Sequence, residues 1–531
     1  MCYHYQYMKE FAIKHKRLLI DIAAIFGVFL FVFFAYFLFK PIYSKSTYGF
    51  GSVDGVPARI FTIVCILAIG ITGLLLRIKN KLTFETLLFL IFLLGVVMQL
   101  NYMLITPYNY RQHDVFSHNN AGHEGYAWTL YSTGKLPTQV DAQGHLDYQF
   151  YHPPFNAIMQ AVFMHICKPF MLAYNAIFNS AYYDVNDMHS LFQTSEILST
   201  FYMNIAIYFG IKIAHKLKVD NIFKVFGALF IALFPALIIL AGQENNDPLC
   251  IMNCFIVMYF TFAWWENRSW FNAIMIGLFT GLAMFAKLSG ALIALPAVVA
   301  YIYSIIQGIV KKEKFAHYFL QGAVIAALVL PLGLWFHIYA KVKFNQPFGF
   351  VFGNLNSNLY TGDHNFFERF INIFDFKDMT TAVWGNTFVN YNVPNFLIKS
   401  ALFGEYSFIC SDALAVLALA FNYLFVYLSL ILMILYFIFS KKENLETKII
   451  AGVLVISQLL AQLYFNIKMP YGCTMDFRYI VPIIIGFMVL DVLALDFFIK
   501  KNDWKKYYSI VTFSTGGLLL ISTTLFYLTA I

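Results

Sequence analysis

Residues 18–39 read LLIDIAAIFGVFLFVFFAYFLF, with Asp21 as the one charged side chain in the stretch. At 1.5 Å per residue such a run reaches roughly 30 Å, the thickness of a bilayer's hydrocarbon core, and a helix is the form that satisfies its backbone there. The pattern recurs. Further apolar runs lie near 60–76, 84–105, 195–213, 222–241, 248–265, 271–285, 291–309, 317–340, 412–439, 449–465, 479–498 and 508–530, which gives about thirteen expected spans.

Composition agrees, since 60% of the 531 residues are hydrophobic and only 12% are charged, with a mean hydropathy of +0.67. A soluble core of this size would need a far larger charged surface. The formal net charge of +8 does not point to nucleic acid, because the basic residues form short clusters between apolar runs. These clusters are Lys14/Lys16/Arg17, Arg77/Lys79/Lys81, Lys212/Lys216/Lys218, Lys311/Lys312/Lys314, Lys441/Lys442 and Lys500/Lys501/Lys505/Lys506. If the spans alternate they fall on one side, which predicts a cytoplasmic amino terminus. The connections 106–151, 242–247, 341–411 and 468–478, with the turn at Lys287, then face outward. The first run is too long for a cleaved signal and reads as a retained anchor.

Organisation reads as one integral-membrane unit, 1–531. Within it, 1–83 forms an amino-terminal hairpin, 106–194 an outer loop with an interfacial helix, and 341–411 a second outer loop, in which Phe366–Phe376 has an amphipathic pattern and 353–358 reads as turn. Seven cysteines do not make a disulfide scaffold; Cys410 and Cys473, both on the outer side, are the pair that could bridge.

The chemistry gathers at the outer face. The stretch 110–130, YRQHDVFSHNNAGHEGYAWTL, and then YHPPF at 151–155 collect Arg111, His113, Asp114, His118, His123, Glu124 and His152. GQENNDPL (242–249), FAKLSG (285–290) and MDFRYIVP (475–482) add Glu244, Asp247, Lys287, Arg478 and Tyr479 at the same face. Carboxylates and cations at headgroup depth suit a reaction at a lipid-linked phosphate, the cations holding the phosphate and a carboxylate acting as base. Plainer roles exist for each: Lys287 can snorkel to the interface, Arg478 can anchor there, and Asp247 can cap a helix. His113, His118, His123, His145 and His152 with Asp114, Glu124 and Asp147 could hold a divalent metal, but the spacing matches no tight ligand motif, and no cofactor is expected.

The order of an acidic outer loop, GKLP (134–137), an aromatic residue before Pro153-Pro154, Asn246-Asp247-Pro248-Leu249, Lys287-Leu288-Ser289-Gly290, and Arg478-Tyr479 with Pro482 resembles the GT-C membrane glycosyltransferases. It is most similar to the protein O-mannosyltransferase and aminoarabinose transferase branch. The resemblance covers most of the chain from Phe84 onward. It implies an all-helical GT-C fold and an inverting transfer of sugar from a polyprenyl-phosphate donor to a hydroxyl of a glycan, protein or lipid acceptor. Compact loops and the absence of an obvious retention signal at the carboxyl end favour a bacterial plasma membrane, and the placement of the basic clusters predicts an active site outside the cytoplasm.

Carried onto this sequence, the catalytic carboxylate is Asp114 or Glu124, with Asp114 favoured. Lys287, Arg478, Arg111 and His152 are expected at the donor phosphate, and Asp247, Glu244, His123 and Tyr479 around the acceptor or sugar. The usual Asp-Glu pair is replaced by His113-Asp114 and His123-Glu124, and His152 stands where relatives carry Lys. Two other readings remain: a secondary transporter or lipid flippase, disfavoured because the charges gather at one face and no repeat is visible, and a metal-dependent membrane hydrolase.

Overall fold

The computed structural model describes residues 16–43, 55–106, 110–115, 121–312, 316–351, 359–373 and 391–530. Lys14, Lys314, His118, the stretch 353–358 and the end of 366–376 lie outside the described residues.

The fold is all-helical and polytopic. Among the described residues, twelve helices are long and apolar enough to cross a membrane, or thirteen if the bent pair Gly472–Ile480 and Ile483–Ile499 is one span. The first three are α1 (Lys16–Tyr43), α2 (Gly55–Ile78) and α3 (Phe84–Ile105). Then come α4 (Gly122–Thr133) and α5 (Phe155–Phe178), followed by α6 (Met188–Lys216), α7 (Asn221–Leu233) with α8 (Pro235–Ala241), and α9 (Asp247–Glu266). The chain continues through α10 (Trp270–Ala286), α11 (Ala294–Val310), α12 (Ala316–Phe344), α13 (Val393–Phe403), α14 (Asp412–Phe439), α15 (Leu445–Lys468), α16 (Ile483–Ile499) and α17 (Trp504–Thr529).

Three features depart from the sequence reading. Phe155–Phe178, expected as an interfacial helix, has the length and hydropathy of a span, because its polar residues are few and scattered. Trp270–Ala286, expected as a span, is a shorter apolar helix that stops at Lys287. Within 366–376 the helical part is the single turn Phe367–Ile371, in which Arg369 is buried and donates to the Asn466 carbonyl at 2.9 Å. Cys410 and Cys473 are also not bonded to each other. Cys473 sits in the turn that carries Arg478, whereas Cys410 stands half-buried just ahead of α14.

Helices α3, α6 and α9 are buried along most of their length and form the centre, while α2 is almost wholly exposed, as expected for a helix facing lipid. The break between α7 and α8 follows from Pro235, since the residue before a proline is pushed out of the helical region, and Phe234 is extended at φ −66°, ψ 123°. One end of the bundle is closed by ion pairs of Lys212 with Asp21 (2.9 Å), Lys216 with Glu266 (2.5 Å) and Lys500 with Asp220 (3.4 Å). The acidic and basic residues of the connections 106–151, 242–247 and 468–478 lie at the opposite end, a helix length away.

The amino-terminal hairpin is keyed into this frame by Lys40. Its ammonium group, fully buried, donates to the carbonyls of Met103 (2.7 Å) and Thr106 (2.5 Å) and to Glu196 Oε2 (2.7 Å). Removing one partner of a buried pair strands the other charge, at a cost of about 3–5 kcal/mol. Lys40→Met is therefore expected to lower the thermal unfolding midpoint in detergent clearly, and Lys40→Met/Glu196→Gln to recover part of it. An unchanged midpoint in the single variant would show that the pair adds nothing.

Candidate active site

Five segments distant in sequence are stitched together at the end of the bundle opposite the ion pairs of Lys212, Lys216 and Lys500. The loop before α9 is bonded to the connection 106–151: Gln243 Nε2 donates to the Arg111 carbonyl at 2.6 Å, Gln112 to the Gly242 carbonyl, and the Glu244 amide to Gln112 Oε1 at 2.9 Å. Helix α5, which starts directly after Pro154, adds Asn156 to the Asn245 carbonyl (3.0 Å) and Gln160 to the Glu244 carbonyl (2.8 Å). Asn246 donates to the Ala286 carbonyl, so the start of α9 is fixed to the end of α10. The connection 341–411 is tied to the Arg478 turn by Thr361 N to the Pro470 carbonyl (2.8 Å) and Phe477 N to Ser400 Oγ (3.0 Å).

These contacts converge on a charged layer. Lys287 donates to Asp247 Oδ1 at 2.5 Å, and its ammonium lies 4.7 Å from the Tyr479 ring centre. Arg478 stands between two carboxylates, Nη1 at 3.5 Å from Asp247 Oδ2 and Nη2 at 3.7 Å from Asp114 Oδ2, and donates to the Tyr479 hydroxyl at 2.8 Å. Asp114 also accepts from the Tyr148 hydroxyl at 2.5 Å. Burial works to raise the Asp114 pKa, but the neighbouring Arg478 guanidinium and His113 outweigh it and hold the carboxyl well below the usual range. It is ionised throughout the neutral range.

Local backbone explains the placement. Asp114 sits at φ 57°, a left-handed conformation that Asp tolerates better than most residues, and the His123 amide donates to its carbonyl at 3.1 Å. Lys287 is extended at φ −157°, ψ 130°, breaking the apolar helix so that its side chain leaves toward Asp247. Gly290 permits that turn, because a Cβ there would meet the Ala283 backbone at 2.7 Å. Gly290→Ala is accordingly expected to displace Lys287, lowering both thermal stability and whatever activity the layer supports. Wild-type values for both in this variant would remove the turn from the argument.

The remaining sequence candidates divide. His123 and His152 stack with ring centres 6.2 Å apart next to the layer. Burial lowers the pKa of His123 to about 4 and that of His152 well below its ordinary value, so both are neutral and can offer hydrogen bonds but no charge. Arg111 is elsewhere, its guanidinium 4.5–5.4 Å from the rings of Tyr102, Tyr110 and Phe408. Glu124 turns to His189, with Oε1 2.6 Å from Nδ1. Glu244 is buried, and burial together with Glu196 and Glu124 raises its pKa well above the usual range, so it keeps its proton.

Among the described residues the sequence-predicted histidines do not gather at one point: His145 pairs with Asp141 at 3.8 Å, and His113 faces Glu405 and Asp476 at 3.4 Å each. Tyr148, Glu405 and Asp476 were not singled out by sequence reasoning. Asp476 was readable as the acidic neighbour of Arg478, but nothing adjacent in sequence marked Tyr148 or Glu405.

An apolar groove of about 730 Å³ leaves this layer. Its polar end is formed by His152, Lys287 and Tyr479, and its walls by residues such as Leu292, Leu295, Ile456 and Leu460. Leu295, Ile456 and Leu460 are also exposed on the outside of the bundle, so the groove joins the lipid-facing surface.

The fold and the site together define a polytopic helical membrane protein with a charged layer at one end, opening on an apolar groove. No protein-family model and no curated protein matches the chain. Solved structures do: the chain is similar to ArnT from Cupriavidus metallidurans in the apo state, at 13% identity and a TM-score of 0.44, over 83% of this chain and 75% of that one. It is similar also to the same protein bound to undecaprenyl phosphate, at 13% identity and a TM-score of 0.42, over the same shares. Likeness at this level says nothing of chemistry.

Proposed function

We propose that this protein is an inverting glycosyltransferase that moves a sugar from a polyprenyl-phosphate donor to an acceptor hydroxyl at the extracytoplasmic face of a bacterial plasma membrane. The observation that carries the reading is the junction of the Lys287–Asp247–Arg478–Asp114 layer with the apolar groove. A ligand with a phosphate at one end and a long hydrocarbon tail would satisfy both at once.

In this reaction the acceptor oxygen attacks the anomeric carbon, the bond from that carbon to the phosphate oxygen breaks, and the hydroxyl proton passes to Asp114. A single displacement inverts the anomeric configuration. Lys287 and Arg478 stabilise the negative charge that grows on the departing lipid phosphate, in a site where little water dilutes their field. Tyr148 and Arg478 orient Asp114. Its low pKa makes it a weak base at first, so proton transfer follows the attack, once the acceptor oxygen has acidified. His123, His152 and Tyr479 line the space between phosphate and base and offer uncharged hydrogen bonds to the sugar.

The test is incubation of the purified protein in nanodiscs with a panel of radiolabelled polyprenyl-phosphate sugars, comparing wild type with Asp114→Asn and Glu124→Gln. Release or transfer of sugar that Asp114→Asn abolishes supports the proposal. Turnover lost only in Glu124→Gln moves the base to the His189 side. No turnover of any donor, combined with movement of lipid or solute across liposomes, replaces the transferase with a transporter.

A further inference from the structure

Next to Asp114, three side chains from three separate segments form a second, tighter cluster. His113 comes from the first outer loop, Glu405 from the segment after α13, and Asp476 from the turn before α16. One ligand atom from each lies within 4.8 Å of the others. The imidazole faces Glu405 Oε2 through Nδ1 at 3.4 Å and Asp476 Oδ2 through Nε2 at 3.4 Å. All three side chains are more than nine-tenths buried.

Their hydrogen bonding is incomplete. Glu405 Oε1 and Asp476 Oδ2 are shut off from solvent and lack a hydrogen-bond partner. Each such oxygen costs desolvation energy with no return, and the group nearest Asp476 Oδ2 besides His113 is the Arg478 Nε at 3.8 Å. A neutral imidazole can donate to only one of the two carboxyl groups and presents a nitrogen lone pair to the other.

A void of about 20 Å³ lies against His113, Asp476, Arg478, Gln243 and Tyr406, room for one body the size of a water molecule.

We propose that His113, Glu405 and Asp476 bind one divalent transition-metal ion. One imidazole nitrogen and two carboxylate oxygens make a ligand set suited to Zn²⁺ or Mn²⁺ and leave at least one coordination position open. Closing on an ion asks each ligand to move inward by roughly 0.5 Å, to reach a bond of ~2.1 Å. A bound ion would fix His113, and with it the strained turn that carries Asp114. The role is that of a positioning site, and it stands whether or not the protein transfers sugar.

The full-length protein, purified in detergent without chelator, is stripped by dialysis against EDTA and then equilibrated with Zn²⁺ or with Mn²⁺ alone. Bound metal is counted by mass spectrometry of the desalted protein, and Co²⁺ substitution is followed by visible absorption. One equivalent per chain is expected in wild type, with loss of that equivalent in His113→Ala and in the near-isosteric Glu405→Gln and Asp476→Asn. A monodisperse elution profile and an unfolding transition confirm that each variant is folded, and retention of the equivalent in a folded Glu405→Gln and His113→Ala overturns the proposal. So does a wild-type protein that takes up less than a stoichiometric amount of each ion, which would assign the void to water.

Discussion

Asp114→Asn is expected to lower the rate of sugar transfer by about 10²–10⁴-fold, the span associated with loss of a general base. The change keeps the shape of the side chain and removes its charge and its proton affinity. The substituted amide can still accept from the Tyr148 hydroxyl, which touches Asp114 at 2.5 Å, so the loop should hold its position. The loss should therefore fall on kcat, with KM for the donor nearly constant, because Lys287 and the groove are untouched. The measurement is steady-state transfer from radiolabelled donor in nanodiscs. An Asp114→Asn enzyme within a few-fold of wild type would take the base away from this residue.

Arg478→Ala is expected to have the second largest effect, and a different signature. Arg478 reaches Asp247 at 3.5 Å, Asp114 at 3.7 Å and the Tyr479 hydroxyl at 2.8 Å, so its removal takes away a cation from the leaving phosphate and a brace from the base. Removing one donor that stabilises charge in a transition state costs about 10²–10³-fold, and the two roles together should bring the loss to the upper part of that range. Arg478→Lys keeps the charge without the planar fork and should restore only part of the rate, since one ammonium cannot face two carboxylates bidentately. Binding of a fluorescent polyprenyl phosphate, followed alongside turnover, separates the roles: the Ala variant should lose affinity for the lipid phosphate as well as rate. Unaltered binding and rate in Arg478→Ala would leave the residue as an interfacial anchor.

The sequence carried the spans well because a bilayer imposes a length and a composition on each one, and Phe84–Ile105 and Asp412–Phe439 have the bounds read from their apolar runs. It carried the ends of helices less well. Phe155–Phe178 contains Gln160, His165 and Lys168, which dilute its hydropathy below that of its neighbours, and the 54° bend ahead of Ile483, at Pro482, divides an apolar run that reads as one span. Short motifs with a charge at a helix boundary, such as Asn246-Asp247-Pro248 and Lys287 before Gly290, pointed directly to residues of the layer. The choice between Asp114 and Glu124 was not legible, since each follows a histidine and precedes the same aromatic-Pro-Pro segment. Their fates are set by partners far along the chain, Arg478 for one and His189 for the other. Glu405 and Tyr148 were invisible for the same reason: each arrives by the path of a loop whose residues are otherwise unremarkable.

The groove whose walls merge with the outer apolar surface of α11 and α15 has a consequence for how the protein meets its substrate. A ligand entering there diffuses within a sheet two molecules thick, so the quantity that governs saturation is its mole fraction among the lipids, not its amount per volume of buffer. Diluting the assay with water should leave the rate per protein unchanged. Diluting it with detergent or inert phospholipid at fixed donor should slow it in proportion, as surface dilution kinetics require.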